Sequence, residues 1–391
     1  MAINFQQVMQ RIREIGMGAR QRSEHLASVR ENARTILAAW ASRREELNER
    51  LERVLRYDST FRSAIPRNQP LNASFPATPL PGNTTLIAAD GSQVAPDRHA
   101  SVLFSLVNVG AIVMQPGSSQ APLIQADSRL LVEDENYTET GMLTLEAIEQ
   151  RRDLAERRKL LELAQEYSGL VIALTDGPLE LWGGGTAARN EYLRDLEIHK
   201  STLSQLQERG VVVAGYVDKP GANLVMRLLE LTQLNTDDQF EQIRRQHPLR
   251  GVTDLWLFST ILPPGYRSAV FGLQSSSRLH YTGDLALHFF YLNVGSPGHP
   301  YIVRVEIPGW VVDDEEKTNL LHATLLDQCR IMGVRPYPYI LHRAHEIAVV
   351  KMDEKQQVQS MLELELRLSG GEVGEPSAKS SAKALPGRGE K

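Results

Sequence analysis

Residues 84–92 read TTLIAADGS, and residues 170–178 read LVIALTDGP. In each, an apolar run ends on one carboxylate followed by glycine, Asp90-Gly91 in the first and Asp176-Gly177 in the second. This is the sequence form of a buried strand that presents an acid just before a sharp turn. An isolated Asp-Gly pair is commonly a turn and nothing more. Two of them in one sheet point to a shared acidic site, because ligands of open α/β sheets gather at the carboxyl edge of the strands. Working outward, residues 101–114 (SVLFSLVNVGAIVM) and 122–131 (PLIQADSRLL) also read as strands, which predicts a meander of three. A helix at about 143–167, a strand at 170–175, a helix around 187–209, a strand at 211–217 and a helix around 223–234 then alternate. Three sequential strands followed by βαβα units give a mixed β-sheet flanked by helices, since parallel neighbours need crossover connections. The fold class is α/β. Further strands are expected at 279–292 and 301–307, and closing helices at 313–332 and 342–368.

The chain has 391 residues, 42% hydrophobic and 23% charged, the composition of a folded protein rather than a disordered one. Its length suits one large elaborated domain or two smaller ones. No apolar run is long enough to span a membrane, and the N-terminus MAINFQQVMQRIREIG lacks the apolar centre of a signal peptide, so a cytoplasmic protein is expected. Cys329 stands alone, which excludes an internal disulfide and a Cys-based zinc site; any metal would be held by oxygen and nitrogen. The net charge of −5 is uneven: residues 1–67 hold 13 Arg and no Lys against 8 acidic residues.

Between Arg20 and Tyr57 there is no Gly or Pro, and Leu26, Ala33, Trp40, Leu47 and Val54 recur every seventh position. This predicts a long amphipathic helix, with Arg43 and Arg50 interrupting a perfect coiled coil. Residues 1–63 thus read as a helical arm, and the same stripe serves packing on its own domain, dimerisation or partner docking. Residues 64–83 contain five Pro and one Gly and read as a connector without regular structure. The globular domain is expected over 84–368, and 369–391, rich in Gly, Ser and Pro, as a disordered tail.

Clustered carboxylates stay ionised together only around positive charge, usually a hard divalent cation, so a third acid is expected beside Asp90 and Asp176. The helix before the second strand offers Glu149, Asp153 and Glu156 on one face, although Arg151, Arg152, Arg157 and Arg158 make a solvated charged surface an equally ordinary reading. No GxxxxGK[ST], GxGxxG after a strand, GxSxG or HExxH occurs, which removes the phosphate-loop, dinucleotide, hydrolase-elbow and zincin chemistries. Ser92 stands where a phosphotransferase would carry a second acid, and Trp182-Gly183-Gly184-Gly185 is a weak candidate for a phosphate-approaching loop. Near the C-terminus, Arg335-Pro336-Tyr337-Pro338-Tyr339 leads into a helix carrying His342 and His345, a place for a phosphate-orienting hydroxyl and a proton-handling imidazole.

Taken in order, Ala89-Asp90-Gly91-Ser92, the helix acid near Glu156, the run 174–179 (LTDGPL), Gly215-Tyr216-Val217-Asp218-Lys219, Arg304-Val305-Glu306-Ile307-Pro308 and Tyr337 with Ala344-His345 resemble the NurA family of nucleases, relatives of the ribonuclease H-like fold. The resemblance covers about 84–350. It implies a Mn²⁺-dependent DNA nuclease, Mg²⁺ being possible, that processes DNA ends in double-strand break repair as a homodimer with a HerA-type hexameric ATPase. It further implies Asp90, Glu156 and Asp176 as metal ligands, with Glu149 as substitute for Glu156, Tyr337 and His345 as the C-terminal catalytic pair, and Lys219 as a phosphate contact. The acidic balance of residues 68–391 departs from a broadly basic channel. An adaptor that loads a translocase onto DNA ends, and a ribonuclease H-like enzyme that cuts RNA, are the rival readings.

Overall fold

The structure, a computed structural model, describes residues 3–138, 141–182 and 189–375. It begins with α1 (Phe5–Met17), α2 (Ala19–Trp40) and α3 (Arg44–Tyr57). The unbroken helix expected from residue 20 to 57 therefore divides at residues 41–43. Leu71 N–H donates to the Ala41 carbonyl there (2.9 Å), and the guanidinium groups of Arg43 and Arg50 lie over Trp40 at 4.3 and 5.1 Å. Arg50 also donates to the carbonyls of Leu231 and Leu234 at 2.9 and 2.7 Å. The arginines that interrupt the heptad thus serve contacts at the break and beyond it. Ala33, Ile36 and Leu37 of α2 and Leu47, Leu51 and Val54 of α3 are buried, so the expected arm is packed from Ala33 onward, while α1 buries nothing.

The proline-rich stretch is not devoid of regular structure: it carries β1 (Ser63–Ile65) and β2 (Ser74–Pro76), each three residues long. Pro66 falls just outside β1 and Pro76 at the end of β2, positions where a missing N–H breaks no ladder. Next come β3 (Thr84–Val94), β4 (Phe104–Met114) and β5 (Leu123–Val132), the expected meander, then a small hairpin of β6 (Tyr137–Thr138) and β7 (Gly141–Met142). They are followed by α4 (Leu145–Ala164), β8 (Leu170–Asp176), α5 (Arg189–Glu208) and β9 (Val212–Val217). β4 is antiparallel to β3 and to β5, β8 is parallel to β3, and β9 is parallel to β8, giving the order β5-β4-β3-β8-β9. Strands β3, β4, β8 and β9 are buried along most of their length, as expected for a sheet covered on both faces.

The chain continues through α6 (Leu224–Glu230), α7 (Asp237–Glu241), α8 (Asp254–Ile261), β10 (Tyr266–Ser268), β11 (Phe271–Gln274), β12 (Leu287–Asn293), β13 (Ile302–Pro308) and α9 (Gly309–Val312). The strand expected at 279–292 starts only at Leu287, because 275–286 is a polar loop turned at Gly283 (φ +59°). Three helices close the chain: α10 (Glu315–Ile331), α11 (Tyr339–Ala348) and α12 (Met352–Leu368). The single helix expected at 342–368 is two, with a break at 349–351.

Two compact units result, Met1–Thr78 with Val217–Asp313, and Pro79–Tyr216 with Asp314–Lys391. The division runs through the domain expected as one body from 84 to 368. The first unit, with β1-β11-β12-β13 as its sheet and β10 bridging β2 and β12, holds 21 Lys and Arg against 17 Asp and Glu. The second holds 22 against 31. Of the tail, residues 376–391 lie outside the described residues. Among the described residues no helix is long and apolar enough to cross a membrane.

Candidate functional site

β3 does not end at Ala89. It stays paired with β4 as far as Val94, which leaves Asp90 inside a strand, whereas β8 stops at Asp176. Ala89 is in register with Thr175 on the parallel neighbour, the last pair of that ladder, so Asp90 and Asp176 are the residues that follow it on strands spaced roughly 4.8 Å apart. Two acids 86 positions apart in the chain thus occupy neighbouring strands at one sheet edge. The Asp176-Gly177 turn is real: Gly177 has φ +88° and its N–H donates to the Tyr216 carbonyl (2.8 Å). Gly215 lets that turn close, since a Cβ on it would lie 2.5 Å from the Gly177 carbonyl oxygen.

One face of β3 meets α11. Gly110 is the antiparallel partner of Asp90, and a Cβ on it would sit 2.4 Å from Ala348 N and 2.7 Å from the Ala344 carbonyl. The helix therefore approaches as closely as backbone permits, and His345 Nδ1 lies 2.7 Å from Asp90 Oδ2. Ser92 Oγ donates to the Ala348 carbonyl (2.5 Å) and accepts from Val350 N–H (3.2 Å), while Asn108 Nδ2 donates to the same carbonyl (2.7 Å). These bonds end α11 at Ala348 by taking up backbone groups that a continuing helix would pair internally. Ser92 is thus the fastener of the helix that carries His345. Replacing Gly110 by Ala is expected to destabilise the protein by about 1–3 kcal/mol through overpacking against α11. Denaturant unfolding measures it, and an unchanged midpoint would refute the close approach.

The other face meets α4. Gly91 alternates with Asp90, and its Cβ would lie 2.7 Å from Glu156 Oε1 and 2.4 Å from Arg152 Cγ. Glu156 is 4% exposed, with Arg152 Nε at 3.2 Å and an Arg157 nitrogen at 3.9 Å. Burial pushes its carboxyl up to about 8; Arg157 and Arg152 oppose the rise, and the negative charges of Asp153 and Asp90 add to it. Arg152 also bonds Asp153 (2.7 Å) and Gln93 (3.0 Å). Glu156 is thus a helix acid that reaches β3. Asp90 and Glu156 come to the strand from opposite faces, and the missing side chain of Gly91 is what lets Arg152 and Glu156 close on the backbone.

Tyr337 stands edge-on against Tyr216, ring centroids 5.4 Å apart at 89°. Tyr216 is the register partner of Asp176, so this aromatic pair belongs to the same sheet edge as the two aspartates. Lys219 lies in the other compact unit, exposed, two residues beyond β9. Trp182 is exposed, and the remainder of the proposed phosphate loop, residues 183–185, lies outside the described residues. In donor chemistry, three carboxylates and an imidazole fit a hard divalent cation. Among the described residues, however, no three His, Cys, Asp or Glu side chains are grouped to hold a metal, and the cation beside Glu156 is Arg152. Sequence reasoning passed over Gly110 and Asn108; a lone Gly within a β-branched run was the available signal, since it marks close backbone approach.

A family model described as "NurA domain" matches residues 84–350. In structure the chain is similar to the NurA nuclease from Sulfolobus solfataricus, with 12% identity, a TM-score of 0.51, and coverage of 93% of this chain and 98% of that one. It is also similar to the catalytic domain of human endonuclease V, with 15% identity, a TM-score of 0.32, and coverage of 82% and 98%. The endonuclease V of Ciona intestinalis, solved with DNA, gives 12% identity, a TM-score of 0.30, and coverage of 83% and 98%. No curated protein matches the chain.

Proposed function

The chain belongs to the NurA family, and from that premise we propose that it is a metal-dependent deoxyribonuclease, using Mn²⁺ or Mg²⁺, that processes DNA ends in double-strand break repair as a homodimer with a HerA-type hexameric translocase. The observation that carries the reading is that Asp90 and Asp176 each directly follow the last register pair, Ala89 with Thr175, of two adjacent parallel strands, with His345 on Asp90 and Glu156 at Gly91. Asp90, Asp176 and Glu156 are the proposed ligands. A divalent ion held by them would supply the positive charge that polarises a scissile phosphate and eases ionisation of water.

The chain's own groups have distinct tasks in this reading. Asp90 fixes the imidazole of His345, whose side chain is 59% exposed and so placed to take or give a proton at the attacking or leaving oxygen. Tyr337 presents its hydroxyl to the phosphate. Arg152 lies 3.2 Å from Glu156, so a cation held by that carboxyl would have to displace both this contact and the proton that burial retains on it. Lys219, in the cation-rich unit, contacts phosphate.

The test is hydrolysis of matched DNA and RNA strands with Mn²⁺, Mg²⁺ or EDTA. DNA cleavage is expected with Mn²⁺ and none in EDTA; preferential RNA cleavage overturns the substrate assignment. No cleavage with either metal, together with no Mn²⁺ binding by calorimetry, overturns the enzyme and leaves the adaptor reading.

A further inference from the structure

The cation-rich unit contains two adjoining cavities, and none of the carboxylates described above is among their lining residues. The first has a volume of about 670 Å³ and a floor of Leu55, Ile65, Leu273, Tyr281 and Leu287. Arg67, Arg278, His288 and the hydroxyls of Ser275, Ser276 and Thr282 also line it, and among the described residues that line it none is Asp or Glu. Arg67 is held in place by Asp313 (2.9 Å), while Arg278 donates to Gln274 Oε1 (2.9 Å). Burial and the Arg67 charge push His288 down to about 4, so at neutral pH it is an uncharged partner for Arg67.

The second cavity, about 530 Å³, is lined by Arg62, Arg227, Arg244 and His247, with Asp58 as the acid among them. Asp58 is committed to Arg244 (2.8 Å), whose side chain is nevertheless 73% exposed, and Arg227 is paired with the buried Glu230. Thr60 lines both cavities, so they adjoin.

We propose that these cavities form a track for the phosphodiester backbone of a single nucleic-acid strand, remote in function from the acidic site. Positive side chains line both cavities, which share Thr60, in a protein of net negative charge, and this suits a ligand with a phosphate at every repeat. The apolar floor of the first cavity suits a base turned inward beneath phosphates held at its hydroxyl-rich rim. The track rests on the nuclease reading only for its biological sense, since it binds without cleavage.

The experiment is fluorescence anisotropy of a labelled oligothymidylate with the full chain in EDTA, over a range of salt concentrations. Arg278→Gln and Arg244→Gln are each expected to weaken binding about three- to tenfold and to lower the salt slope by about 0.7. Ser276→Glu, which removes no recorded contact and adds a carboxylate at an exposed position of the rim, is expected to weaken binding similarly and guards against misfolding of the arginine variants. Wild-type affinity and slope in Arg278→Gln and Ser276→Glu would overturn the track and leave the cavities to an acidic polypeptide. Because cleavage is not read, loss of the track and loss of the nuclease assignment are separate results.

Discussion

Asp90→Asn is expected to reduce metal-dependent DNA cleavage by more than about a thousandfold, since a ligand that supports several kcal/mol of transition-state charge is lost. The fold should survive. Asparagine keeps the volume of the side chain and an oxygen to accept from Gly91 N–H, which Asp90 Oδ1 accepts at 2.9 Å. The close approach of α11 is set by Gly110, Ser92 and Asn108 rather than by this carboxylate. Thermal unfolding of the metal-free variant should therefore stay near the wild type, within the roughly 0.5 kcal/mol usual away from critical contacts. Activity retained in Mn²⁺ would remove Asp90 from the site; activity lost together with the fold would make it a structural residue.

Glu156→Gln separates function from stability in opposite directions. Cleavage should fall as steeply as in Asp90→Asn, while the metal-free protein becomes more stable at alkaline pH. The sign follows from the raised carboxyl: it titrates at about 8 in the fold and near its ordinary 4.5 in the unfolded chain. Between those values the native state holds a proton that the unfolded state has released, so wild-type stability falls as pH rises through that window. Glutamine carries no such proton. The variant's advantage should thus be near zero at about pH 4.5, grow to the order of a few kcal/mol by about pH 8, and remain level above it. Urea unfolding at a series of pH values measures this, and a variant less stable than the wild type at pH 9 would contradict it. Mn²⁺ titration of the wild type near neutral pH should also release a proton, because the ion displaces it from Glu156.

The meander, the βαβα alternation and the two Asp-Gly pairs were legible because each rests on local pattern: β-branched runs, helical periodicity and turn chemistry. The breaks at 41–43 and 349–351 were not. Nothing in the local sequence at 349–351 opposes a helix; the break comes from Ser92 and Asn108, some 240 to 260 positions earlier, bonding the Ala348 carbonyl. The division of the chain was equally hidden, since residues 217–313 join the N-terminal helices in one compact unit.

By itself the sequence determined the order of the elements, the α/β class and which acids end or occupy buried strands, because hydrophobic period and turn residues act over a few neighbours. Only the tertiary structure decided that Asp90 and Asp176 follow one register pair on neighbouring strands, that His345 rather than His342 meets Asp90, and that Glu156 arrives beside Arg152 at Gly91. Those outcomes depend on how closely two helices approach the faces of a sheet, and that distance is set by glycines and hydrogen bonds contributed from remote parts of the chain.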